Sequence, residues 1–229
     1  MAETALIVGA GLGLSASLAR CFANDGIAIA LAARNTNKLK NIADDTGAYC
    51  YSCDATDPTS VKDLFLEVAN NLDIPDIVVY NPSYRVRGAF IDLKPEDVGK
   101  TLTTNAFGAF LVGQEAARGM LKKGQGNIQF TGASASTKGY AESAPFAMGK
   151  FALRGLAQSM ARELHPKNIH ISHFVVDGGI KSKTHASEEG IPDGLLDPNA
   201  IAQTYLEVTR QHRSAWAWEI ELRPWVEVF

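Results

Sequence analysis

The stretch LIVGAGLGLSASLAR, residues 6 to 20, decides how the rest of the chain is read. Gly9, Gly11 and Gly13 stand between an apolar run and a segment in which Leu14, Leu18 and Phe22 recur on one helical stripe. Glycine permits a tight turn out of a strand. It also lets backbone N–H groups approach a phosphate at the N-terminus of the following helix. Turns collect glycines anyway, so a Gly-rich loop alone is a weak signal. Its place after the first apolar run, with another starting at Ile27, makes it the opening of a dinucleotide-binding βαβ unit. The loop through Gly9, Gly11, Leu12, Gly13 and Leu14 is the expected pyrophosphate cradle.

Outward from this loop, short apolar runs alternate with longer amphipathic segments. TALIVG (4–9), IAIALAA (27–33), AYCYSC (48–53), DIVVYN (76–81), NIQFTG (127–132), IHISHFVV (169–176) and AWAWEIEL (215–222) read as seven strands. Most are continuous apolar runs, as parallel strands covered on both faces require. Between them lie helical stripes such as Val61, Leu64, Phe65, Val68 and Leu72, entered through cap residues and a proline in DPTSVKDLF (57–65). Strand alternating with helix predicts an α/β fold of the Rossmann type, a doubly wound parallel sheet of seven strands in a single domain over 1–229. Right-handed crossovers then bring all the strand C-terminal ends to one edge, where ligands bind.

The 229 residues carry a net charge of −3, with 46% hydrophobic and 21% charged residues. That balance provides no basic field for nucleic acid or an anionic membrane. No apolar run is long enough to span a bilayer, and the N-terminus enters its first strand too soon for a secretory leader, so a cytoplasmic location is expected. Cys50 and Cys53 form a C-x-x-C, but strand residues three apart face oppositely and no second ligand pair accompanies them. No metal is expected. His170 and His173, also three apart in a strand, are expected to be non-catalytic.

The second run ends LAARNTNKLK (31–40). An NAD-binding chain needs an Asp or Glu here to bind the ribose 2′-hydroxyl, whereas Ala32 and Ala33 are followed by Arg34 and Asn35. A carboxylate would repel a 2′-phosphate and a guanidinium would grip it, so the expected cofactor is NADP(H).

With these residues in order, the chain resembles the short-chain dehydrogenase/reductase family over essentially its whole length. Gly9 and Gly13 match the family's Gly-x-x-x-Gly-x-Gly, with Ser15 in the third glycine's place. The resemblance implies that Asp54 and Ala55 in CDATD meet the adenine, and that Asn81 and Pro82 in VYNPS line the adenosine ribose. It implies that Asn105 in TNAFGAF holds a water in a proton relay and that Lys150 binds the nicotinamide ribose. In VVDGGIKSKT, Asp177 replaces a family proline, Gly178 remains, the Ile180 backbone is implied to bind the carboxamide, and Ser182 replaces a threonine. Homo-oligomers, dimeric or tetrameric, paired through the fourth and fifth helices are also implied.

The pattern breaks at the chemistry. In SAPFAMGK (143–150) Phe146 stands where the family's Tyr-x-x-x-Lys has its tyrosine, and Ala133 stands where it has its serine. Phenylalanine has no proton to give. Candidate substitutes are Ser134 and Ser136 in TGASAS, Tyr140 in KGYAES, and Lys150 with a water held by Asn105. Residues 181–196 read as a short lid over a small-molecule substrate. Two functions follow from the resemblance. One is an NADP(H)-dependent oxidoreductase, reducing a carbonyl or activated alkene with a non-standard proton donor. The other is a non-catalytic NADP(H)-binding protein, a sensor or an assembly subunit.

Overall fold

A computed structural model describes residues 2–182, 185 and 191–227. The strands are β1 (Thr4–Val8), β2 (Ala28–Ala33), β3 (Tyr49–Ser52), β4 (Ile77–Tyr80), β5 (Gly126–Thr131), β6 (Ile169–Val176) and β7 (Glu219–Leu222). They form one sheet in the order β3-β2-β1-β4-β5-β6-β7, every neighbouring pair parallel. The helices are α1 (Leu14–Asn24), α2 (Lys40–Thr46), α3 (Pro58–Asn71), α4 (Pro95–Leu102), α5 (Gly108–Lys123), α6 (Ala144–Leu164) and α7 (Pro198–Thr209). This is a single-domain Rossmann-type α/β fold, as the alternation of apolar runs requires.

Period-two alternation divides each strand between two cores. From β1, Leu6 and Val8 join Val61 and Val68 of α3, Val112 of α5 and Leu153 of α6 on one face. Ala5 and Ile7 join Leu18 and Phe22 of α1 with Ile201 and Tyr205 of α7 on the other. Each fully buried Leu, Ile or Phe contributes roughly 1.5–3 kcal/mol, so both faces of the sheet must be apolar, and β1 is buried throughout. At the entry to α3 the Asp57 side chain accepts from the Thr59 N–H (2.9 Å) and Pro58 takes the first helical position.

The last strand is shorter than the apolar run suggests. Residues 215–218 are not strand: Gln211 O accepts from the Trp216 indole (3.2 Å) and its Oε1 from the Ala217 N–H (2.8 Å), while Trp218 O accepts from the His173 N–H of β6 (2.8 Å). Trp216 stacks on His170 at 4.6 Å between centroids, and Trp218 packs against the α6-side core, so both tryptophans have internal partners. The family's fourth and fifth helices correspond here to α5 and α6, which carry exposed Phe110, Met148 and Phe151. Among the described residues no helix is long and apolar enough to cross a membrane.

Gly9 closes the turn after β1 at φ +80°, and a Cβ there would lie 2.5 Å from the Pro82 nitrogen. The left-handed conformation costs an L side chain about 1–2 kcal/mol, and here the collision is with backbone. Gly9→Ala is expected to lose at least about 2 kcal/mol of stability, read by chemical denaturation. An unchanged midpoint would show that Pro82 moves aside freely.

Candidate active site

The β1–α1 loop is held from behind. The N–H groups of Gly9 and Ala10 both donate to Ala32 O on β2, each at 2.9 Å. Ser15 does more than fill a small-residue position: its hydroxyl donates to Gly9 O (3.3 Å) and accepts from the Asn81 side-chain amide (2.8 Å). Loop, helix and the end of β4 are thereby tied together. On the open side, a Cβ added at Gly11 or Gly13 would meet nothing within 4 Å, and no side chain caps α1. That space, facing uncapped helix N–H groups, suits a pyrophosphate. Leu14 at the start of α1 is buried, while the Leu12 side chain points out at 71% exposure.

A cavity of about 650 Å³ opens beside this loop at the C-terminal ends of β2, β3 and β4. Its walls include Arg34, Asn35, Asp54, Ala55, Asn81 and Pro82, all expected from the sequence. They also include Lys38, four residues beyond Arg34 on the 3-10 turn Asn37–Leu39, so two cations line this end. Among the described residues neither forms a salt bridge, which leaves both for a phosphate. Asp54 accepts from the Thr56 hydroxyl (2.7 Å) and N–H (2.9 Å). Those hydrogen bonds, helped by Arg34, hold its carboxyl below the ordinary carboxylate range.

Asn81 and Ser83 are shared with a second cavity of about 380 Å³, so the two form one groove along the sheet edge. Its walls bring together Ser134, Tyr140, Phe146 and Lys150 with Gly178 and Ile180. Ile180 pairs in parallel with Leu196: Lys181 N donates to Leu196 O and Leu196 N to Gly179 O, both at 2.9 Å. In such a bridge the peptide groups of Ile180 itself point away from the partner segment. Lys150 is fully buried and its Nζ donates to Thr131 O at 2.7 Å. Burial disfavours the charged form and pulls it down to about 8.

Two expected catalytic residues serve other ends. Ser136 has no exposed surface, and its hydroxyl accepts the Ala133 N–H (3.1 Å) at the start of a 3-10 turn, so it does not reach the cavity. Asn105 sits in a π turn, Thr103–Phe107, between α4 and α5. Its Oδ1 accepts from Tyr84 N (3.0 Å) and its Nδ2 donates to Tyr84 O (2.9 Å). That double bond to a loop removes its side chain from the expected water relay. Ser182 is exposed, and its N–H donates to His185 O (2.8 Å). Part of the expected lid, 183–184 and 186–190, lies outside the described residues. His173 Nδ1 donates to the Glu219 carboxylate (3.2 Å), and burial pulls both His170 and His173 down to about 4, leaving them neutral at pH 7.

Sequence reasoning missed Lys38, Arg85 and Thr131. Lys38 had a signal, a second cation four residues after Arg34. Thr131 had none, because it acts through a carbonyl that every residue possesses.

A family model described as short chain dehydrogenase matches residues 3–190. A short-chain dehydrogenase/reductase of Armillaria gallica is 30% identical over 208 residues, covering 85% of this chain and 78% of its own length. The crystal structure of a short-chain dehydrogenase from Rhodopseudomonas palustris superposes with a TM-score of 0.84 at 33% identity, covering 97% of this chain and 99% of the other. An alcohol dehydrogenase from the archaeon Thermococcus sibiricus, complexed with 5-hydroxy-NADP, superposes at 0.87 with 22% identity, covering 100% and 99% of the two chains. The phosphate-cradling turn and the buried lysine at the far end of its groove thus sit in a chain that belongs to the short-chain dehydrogenase family.

Proposed function

We propose that the protein is an NADP(H)-dependent oxidoreductase whose proton donor is not residue 146. The observation that carries this reading is the single groove with Arg34 and Lys38 at one end and Lys150 at the other. The residues fit the cofactor: Gly11 and Gly13 leave room for the pyrophosphate, Arg34 and Lys38 take the 2′-phosphate, and Lys150 takes the nicotinamide ribose. When bound, NADP(H) supplies the hydride exchanged with a carbonyl or activated alkene. The same fold in Thermococcus sibiricus alcohol dehydrogenase accommodates an NADP derivative. The protein's own work is to orient both partners, exclude water behind Phe146 and bring a proton to the developing oxyanion. Tyr140 and Ser134 are the hydroxyl-bearing candidates on the cavity wall for that last task.

Titration with NADPH and NADH, following nicotinamide fluorescence, tests the cofactor. A charge-assisted contact contributes about 1.5–3 kcal/mol, so NADPH should bind roughly 10- to 100-fold tighter, and Arg34→Ala should abolish most of that preference. Equal affinity for the two in the unaltered protein would sink the NADP(H) assignment. A second reading rests on Ala133 and Phe146, which together remove two family hydroxyls: a non-catalytic NADP(H)-binding protein. Tight NADPH binding without turnover of any carbonyl or enoyl compound would select it.

A further inference from the structure

Arg85 lies on the wall of the inner cavity, with its guanidinium carbon 5.0 Å from the centre of the Phe146 ring. No element of secondary structure holds it, yet its position is built. The Asn105 amide clamps both backbone groups of Tyr84, immediately before it (3.0 and 2.9 Å). The Tyr84 ring lies under Lys100 Nζ (4.4 Å) and its hydroxyl donates to Asp97 (3.3 Å). Beyond Arg85, the Gly88 N–H donates to Glu142 O (3.1 Å), pinning the loop to the entry of α6. The loop is fixed on both sides of one arginine.

That arginine has a platform and no counter-ion. Cation–π contact orients a guanidinium over an aromatic face without neutralising it. Among the described residues no carboxylate pairs with Arg85, and none lines the inner cavity. Lys150 lines the same cavity, so its two charged groups are both cations. Arg85 keeps a solvent-exposed face, and partial desolvation with the nearby Arg87 charge shifts its guanidinium below the ordinary arginine value. Asp177, just after β6, is engaged by Lys138 and Arg223, each at 3.3 Å.

We propose that Arg85, held over Phe146, binds an anionic group of the substrate, so that the protein acts on carbonyl compounds bearing a carboxylate or phosphate. The proposal rests on the oxidoreductase reading for its substrate class and on the geometry around Arg85 for its site. It also gives Phe146 a role: a ring without a hydroxyl offers its face to the guanidinium.

The test compares kcat/KM for a 2-keto acid with that for its methyl ester, in the unaltered protein and in Arg85→Gln, with NADPH affinity measured in parallel. The acid should be preferred by at least about tenfold, the worth of one charge-assisted contact, and the ratio should fall to near one in Arg85→Gln with NADPH affinity unchanged. No preference, or a preference that survives the substitution, overturns the proposal. If neither a carbonyl nor an enoyl compound is turned over, the oxidoreductase reading fails and the melting temperature of the NADP⁺-saturated protein decides Arg85 instead. Malonate or inorganic phosphate should raise it in the unaltered protein but not in Arg85→Gln, and the anion with the larger effect distinguishes carboxylate from phosphate. No rise, or equal rises in both proteins, overturns the proposal.

Discussion

Lys150→Met is expected to make the protein more stable at pH 7 while weakening NADPH binding about 10- to 100-fold. Lys150 is the longest charged side chain in the interior, and Thr131 O is its described hydrogen-bond acceptor. The distance between the ordinary lysine value of 10.5 and about 8 corresponds to roughly 3 kcal/mol of destabilisation when the group is charged. Losing the bond to Thr131 O offsets about 1 kcal/mol, so the net gain for methionine is about 2 kcal/mol. The sign with pH follows from proton counts. Between about 8 and 10.5 the unfolded chain holds the proton and the folded one releases it, so stability of the unaltered protein rises across that window. The methionine variant lacks this rise, and its advantage should shrink as pH increases through the window. Urea denaturation of both proteins at pH 7 and pH 10 reads the effect. A stability difference independent of pH would mean that Lys150 is not buried as a cation.

The other large effect concerns the proton. Tyr140→Phe should lower kcat for a carbonyl substrate by about 10²- to 10⁴-fold, the usual contribution of a positioned general acid, with NADPH affinity unchanged. Tyr140 shares the cavity wall with Phe146 and Lys150, and at 44% exposure its hydroxyl can be reprotonated from solvent. Lys138 Nζ stands 5.9 Å from its ring centre. In that background Phe146→Tyr places a phenol on the helix beside Lys150, whose Nζ is 5.8 Å from the present ring, and should recover much of the loss. A fall of less than threefold in Tyr140→Phe would remove Tyr140 from the reaction and leave Ser134 or a water as the donor.

The parts of the site set by local sequence were legible. The glycine turn, the strand-end Arg34 and the position of Lys150 on α6 each follow from spacing along a few residues, and so does the division of Leu6 and Ile7 between two cores. The failures share a cause. Asn105 and Ser136 carry polar groups that could serve catalysis, yet each satisfies a backbone amide: Asn105 across 21 residues of chain, Ser136 across three. A polar residue's choice between substrate and backbone depends on which donor the fold leaves unpaired nearby, and spacing does not record that. Arg85 was invisible for the opposite reason. A loop arginine reads as solvated until its neighbours are known to be clamped. The shortened β7 belongs with these, since Gln211, outside the apolar run, holds the Trp216 indole and withdraws the Ala217 N–H from pairing.

Asp177 replaces an uncharged proline of the family pattern and is almost fully buried at the end of β6, between Lys138 from the loop before α6 and Arg223 just after β7. A carboxylate in such a place is tolerable only while both cations attend it. Three positions scattered over 86 residues are thus coupled electrostatically through one buried oxygen. Removing either cation would leave the carboxylate a single counter-ion, whereas removing the carboxylate would still leave Arg223 its pairing with Glu221.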